Sequence, residues 1–138
     1  MNQQRILDAL ASLTLFSDLD RPQLQAVAHT MSEESFPAGQ RILRQGFSGG
    51  GFFVILEGEV TVRVDGDDVA TLGKGDFFGE ISLLLGEPPI ADVVAAVPVV
   101  ALQLGGPDLR EFLLAYPAVM YRMLQAVSRR LDRANRRG

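Results

Sequence analysis

Between residues 35 and 106 the chain is a succession of short apolar runs, most of them closed by Gly or Asp: "RILRQG", "GFFVILEG", "GEVTVRVDG", "VATLGKG", "ADVVAA" and "VVALQLGG". The runs are too short and too often interrupted for ordinary helices, so this stretch reads as short strands joined by tight turns. Val60, Val62 and Val64 alternate with Thr61 and Arg63, the period of a strand with one buried face. "VDGDD" places Asp65-Gly66 where a hairpin turn needs positive φ. Many short strands with regular turn signals bury their apolar faces by forming a sandwich or a jelly-roll barrel.

The period is helical on both sides of this stretch. Ile6, Leu7, Leu10 and Leu13 predict an amphipathic helix over Gln3–Leu13. "SDLDRPQLQAVAHTM" predicts a second helix, with Asp20 as N-cap, Pro22 in the first turn and Leu24, Val27 and Met31 on one face. After Gly105-Gly106-Pro107, Leu109, Phe112 and Leu113 mark a short helix, and Pro117 opens a long one. Met120, Met123, Leu124, Val127 and Leu131 form an apolar stripe along it. A single helix of this length is not a stable isolated coiled coil, so it either docks on its own barrel or pairs with a second copy. The expected organisation is one domain, 1–138, mainly β: N-terminal helices in 1–34, a jelly-roll barrel in 35–106 and C-terminal helices in 107–138.

Composition narrows the function. The chain has 138 residues, 47% of them hydrophobic, with no cysteine and one histidine, His29. That excludes disulfides and thiolate metal sites and leaves too few ligands for a histidine-rich metal centre, so no metal is expected. No apolar run reaches membrane-spanning length, and "MNQQRILDAL" lacks a basic segment followed by an apolar one, so a cytoplasmic protein is expected. His29 falls inside the second helix and reads as a packing or surface residue. No nucleophile elbow, zinc-protease motif or P-loop is present. Ser48 in "GFSGG" has no catalytic spacing, and "SGGG" is followed by neither a helix nor Lys, so no enzyme is expected. The net charge of −4 is unevenly spread: residues 1–107 carry 6 basic and 14 acidic side chains, residues 108–138 carry 7 and 3. The basic tail is either a solvated helix face or a surface for an acidic partner. It lacks interleaved aromatics and a second helix, so direct nucleic-acid binding is not expected.

The arrangement and four motifs resemble the cyclic nucleotide-binding domain family of catabolite-activator-type regulators, protein kinase A regulatory subunits and gated channels. "LFSDLDRPQLQAVA" is similar to its N-terminal helices, "FPAGQRILRQG" and "FFVILEGEVTV" to its first strand pairs, and "LGKGDFFGEISLLLGEPP" to the entry of its phosphate-binding cassette. The resemblance places that cassette at 77–92. It implies a short helix whose backbone N–H groups face a cyclic phosphate, a Glu that meets the ribose hydroxyl, and an Arg that pairs with the phosphate.

Carried over by position, Gly79 and Glu80 are present, and Ile81, Ser82 and Leu83 supply backbone donors. The Arg position falls on Pro89, ahead of Ile90 and Ala91, and the next polar position falls on Asp92, with Glu87 nearby. A residue without a charge or an N–H therefore stands where the cation belongs. Arg44 and Arg63 are candidate substitutes from the strands, and Asn135 falls near the base-contacting position. The implied function is a non-catalytic sensor domain that dimerises through the final helix and binds cAMP or cGMP weakly or not at all. The alternatives are a working cyclic-nucleotide receptor using Glu80 and an unrecognised cation, or the sensor part of a transcription regulator without its helix-turn-helix. A partner protein or output domain would read its state.

Overall fold

The computed structural model describes residues 3–47 and 50–137; Ser48 and Gly49 lie outside the described residues. Helix α1 (Gln3–Ala11) and helix α2 (Arg21–Thr30) flank a 3-10 turn at Thr14–Phe16. α1 stops two residues short of the expected Leu13, yet Leu13 is still buried. α2 starts where its sequence requires. The Asp20 carboxylate accepts from Gln23 N (2.9 Å), and the Gln23 side chain accepts from Asp20 N (3.0 Å), a reciprocal capping box.

Eight strands follow: β1 (Ser32–Phe36), β2 (Arg41–Leu43), β3 (Gly51–Glu57), β4 (Val60–Val64), β5 (Asp67–Leu72), β6 (Phe77–Phe78), β7 (Asp92–Ala95) and β8 (Val99–Gly105). They form two antiparallel four-stranded sheets, ordered β1-β8-β3-β6 and β2-β7-β4-β5, the strand order of a jelly roll. β1 begins inside the stretch assigned to the N-terminal helices. Its sequence SEESF has no apolar alternation because it is an edge strand paired only with β8. The β4–β5 hairpin turns on Asp65 (φ 52°) and Gly66 (φ 86°), as the Asp-Gly pair predicts.

β3 explains how the two halves share a core. Its run FFVIL is buried on both faces, which is why it shows no alternation. Phe52, Val54 and Leu56 join the helices in one apolar cluster, while Phe53 and Ile55 pack between the sheets with Val60, Phe78, Val93 and Ala101. The first cluster also receives α4 (Leu109–Ala115), through Leu109, Phe112 and Leu113, and α5 (Pro117–Arg137), through Val119 and Met123. α5 therefore docks on its own barrel. Met123 belongs to the interior and Val127 is half-buried, so these two residues do not lie on an exposed apolar seam; Met120, Leu124 and Leu131 are exposed. Arg122 adds a two-pronged pair to Asp18 beside the 3-10 turn (2.8 and 3.0 Å), whose hydrogen bonds hold the Asp18 carboxyl below its ordinary pKa.

A short helix, α3 (Glu80–Leu85), crosses between β6 and β7. It is hung from Gly79, whose φ of 94° is left-handed and whose missing Cβ leaves room for the Gly51 carbonyl of β3. A side chain here meets both backbone strain and a fixed backbone atom. Gly79→Ala is expected to destabilise the domain by at least about 2 kcal/mol in urea unfolding; a loss within experimental error would show that the β3–α3 approach is soft.

Candidate ligand-binding site

A cavity of about 210 Å³ lies between the β2-β7-β4-β5 sheet and the start of α3. Its walls are apolar: Leu43, Val62, Val64, Leu72, Phe78 and Val93. The inward valines of the alternating β4 run thus line a pocket. Its mouth is made by Gly79–Ser82, by Pro89–Ala91 and by one residue from α5, Arg130.

Glu80 is the acidic group of this pocket and is only 3% exposed. Arg130 reaches it from α5: Nη1 donates to Glu80 Oε1 at 3.4 Å, and Nη2 donates to the Phe77 carbonyl at 2.8 Å. The guanidinium also stacks on the Phe77 ring, 4.4 Å from its centroid. Burial raises the Glu80 pKa; the Arg130 charge, the backbone N–H groups of Glu80 and Ile81 and the Arg130 hydrogen bond pull the other way. The N-terminus of α3 therefore already has an anion, its own first side chain.

The structure brings Gly79, Glu80, Ile81, Ser82, Pro89, Ile90 and Ala91 together around the cavity. Ser82 is buried, with its Oγ 3.5 Å from the Gly79 carbonyl oxygen; Ile90 is exposed at the rim. Leu83 is not part of the wall: it turns toward the helical core. Pro89 is buried, and its carbonyl accepts from Gly46 N at 2.8 Å.

Asp92 does not face the pocket. Its Oδ1 accepts from Gln45 N (2.7 Å) and its Oδ2 lies 3.9 Å from Arg41 Nε, so it ties β7 to β2 and to the segment after it. Glu87 is on the exposed loop, its N–H donating to the Ser82 carbonyl. Neither strand arginine reaches the cavity: Arg63 pairs with Asp68 at 2.6 Å, and Arg44 lies 5.8 Å from the Phe47 ring centroid. Asn135 is exposed on α5, outside the cavity walls. His29 is exposed on α2.

The residue that sequence reasoning missed is Arg130. The signal was present: Met123, Val127 and Arg130 are spaced i, i+4, i+7, so Arg130 continues the face that docks on the barrel. Among the described residues no cluster of three His, Cys, Asp or Glu could hold a metal, and no helix is long and apolar enough to cross a membrane.

Comparison with known proteins gives this site a context. The family model described as "Cyclic nucleotide-binding domain" matches residues 33–116. The chain is 34% identical over 100 residues to the cGMP-dependent protein kinase egl-4 of Caenorhabditis briggsae, covering 68% of this chain and 13% of the kinase. It is 35% identical over 99 residues to the cAMP-dependent protein kinase type II regulatory subunit of Drosophila melanogaster, covering 69% and 26%. It thus spans only a minor part of these relatives. A cyclic nucleotide-binding domain from Methylobacillus flagellatus superposes with TM-score 0.81 at 27% identity, covering 97% of this chain and 80% of that one. The regulatory subunit of a cAMP-independent protein kinase A from Trypanosoma brucei, in a triple mutant that introduces an arginine and is bound to cAMP, gives 0.75 at 31%, covering 89% and 46%. Its Trypanosoma cruzi counterpart, bound to guanosine, gives 0.75 at 27%, covering 91% and 46%.

The Glu80–Arg130 pair has a pH signature. Because burial raises the Glu80 pKa, the stability linked to its protonation is fully present below the unfolded value, about 4.3, and is lost as pH climbs through the higher folded value. Arg130 offsets that loss while Glu80 is charged. Arg130→Met is expected to cost about 2 kcal/mol near pH 7 and clearly less near pH 4, since Glu80 can then take a proton. Urea unfolding at the two pH values checks this, and equal losses would mean that Arg130 acts only by packing.

Proposed function

The chain belongs to the cyclic nucleotide-binding domain family, and from that premise we propose that it is a non-catalytic regulatory domain whose pocket holds cAMP and cGMP weakly or not at all. The observation that carries this reading is Pro89. It is buried at the pocket mouth, in the position where the family resemblance calls for an arginine. Arg130 is the cation that lines the cavity among the described residues, and it is engaged with Glu80 and the Phe77 carbonyl.

Losing a charge-assisted pair to a phosphate costs about 2–4 kcal/mol, on the order of 30- to 1000-fold in affinity. The trypanosomal precedent supports this arithmetic: there the cAMP-bound form of a cAMP-independent subunit carries an introduced arginine. The absence of any catalytic constellation in the sequence supports a regulatory role.

The same reading includes self-association through α5. Its exposed stripe is Met120, Leu124 and Leu131, with Leu124 and Leu131 59% and 62% exposed. These three residues recur at i, i+4 and i+11, an exposed stripe that a second helix could cover. A homodimer would remove this stripe from water and give the domain a symmetric output to a partner protein.

Two measurements test the reading. Isothermal titration of the wild-type chain is expected to give dissociation constants well above about 10 µM for both cyclic nucleotides, and Pro89→Arg is expected to tighten at least one by about 30-fold or more. A tighter wild-type constant sinks the proposal, whether or not the variant folds. Sedimentation at tens of micromolar is expected to show a dimer that Leu124→Glu converts to monomer; a monomeric wild type would remove the dimer from the reading.

A further inference from the structure

The charges around the pocket say what kind of ligand it can take. Glu80 is buried and Arg130 is committed to it. An anion that drew Arg130 away would leave an unpaired carboxylate in a desolvated site, a costly arrangement. A neutral donor avoids that conflict. An ionised carboxylate offers about four acceptor positions. Arg130 takes one, and the N–H groups of Glu80 and Ile81 point at the group. Room remains for one incoming hydroxyl.

Space points the same way. The cavity, about 210 Å³, is below the roughly 300 Å³ at which ligand pockets usually begin. Pro89 is buried among the residues that line it, beside Ile90 and Ala91. The walls are otherwise aliphatic and aromatic, suited to the faces of a flat ring.

We infer that the pocket is a site for a neutral, ring-bearing molecule that donates a hydroxyl to Glu80, and that a nucleoside without phosphate is the ligand class. The inference rests on the pocket being the ligand site of a regulatory domain, and it goes further by naming what enters. Glu80 anchors the ligand. Arg130 lies against Glu80 as its opposite charge, so the cation that lines the pocket is already paired and is not free for a phosphate. Binding then depends on ring burial and one charge-assisted hydrogen bond, neither of which salt screens strongly.

The test is a titration of the wild-type chain with adenosine, guanosine, cAMP and cGMP at low and high salt. At least one nucleoside is expected to bind tenfold or more tightly than its cyclic phosphate, with an affinity that changes less than about twofold between the two salt conditions. Glu80→Ala is expected to lose that binding by tenfold or more. Should that variant fail to fold, Val62→Phe, which fills the cavity from β4 and leaves Glu80 and Arg130 alone, is expected to lose it as well. Binding unaffected by Val62→Phe would overturn the inference. If no compound binds, the inference fails while the weak-binding reading of the domain stands. If a cyclic nucleotide binds as tightly as its nucleoside, the inference fails, and at a constant below about 10 µM the weak-binding reading falls with it.

Discussion

A carboxylate that is only 3% exposed cannot remain charged without partners, and much of this domain's geometry around the pocket answers that requirement. Glu80 draws on the backbone N–H groups at the start of α3 and on the guanidinium of Arg130. For Arg130 to reach it, α5 has to lie along the barrel, and the Phe77 ring and carbonyl have to receive the rest of the guanidinium. Gly79 must be left-handed so that α3 can start directly beneath β3. One buried charge thus links the turn after β6, the short helix and the C-terminal helix.

The same charge resolves what is otherwise a puzzle of the cassette. A short helix with free N–H groups and no cation beside it looks like an anion site with one half missing. Glu80 supplies an anion internally, so the dipole at the helix start is not left unmet. Pro89 needs no backbone donor at its position, and its carbonyl is satisfied by Gly46 N. Among the described residues no buried side-chain nitrogen or oxygen is left without a partner, those of the cassette included. A fold shared with cyclic-nucleotide receptors fixes where a ligand would enter but leaves its charge to individual residues.

How far the sequence revealed this depended on the kind of signal. Strand ends were legible because Asp65-Gly66 and the glycines mark backbone conformations that other residues avoid. The start of α2 was legible because Asp20 and Gln23 form a cap that is local in sequence. β1 was hidden because an acidic edge strand lacks the apolar period. Asp92 was misjudged as a pocket residue because proximity in sequence says nothing about which face of β7 it occupies; its partners, Gln45 and Arg41, lie on a segment nearly fifty residues earlier. Arg130 escaped notice because it sat in a run of arginines that reads as a solvated tail, and only its spacing from Met123 separated it from its neighbours. Pairings fifty residues apart, as between Glu80 and Arg130, have no local signature.

α5 is held at two ionic points of unequal weight. Arg122 and Arg130 are two turns apart, about 12 Å along the helix, with half-buried Ala126 and Val127 between them. The Arg122–Asp18 pair is at the surface, where such contacts contribute little net stability. The Arg130–Glu80 pair has one fully buried member, so its geometry is demanding and its loss is expensive. Val119 and Met123 fix the N-terminal half of α5 by apolar burial. Beyond Arg130 the helix has exposed side chains through Arg136. The half of α5 that follows Met123 is therefore held by half-buried Ala126 and Val127 and by Arg130, which engages both Glu80 and the Phe77 ring and carbonyl.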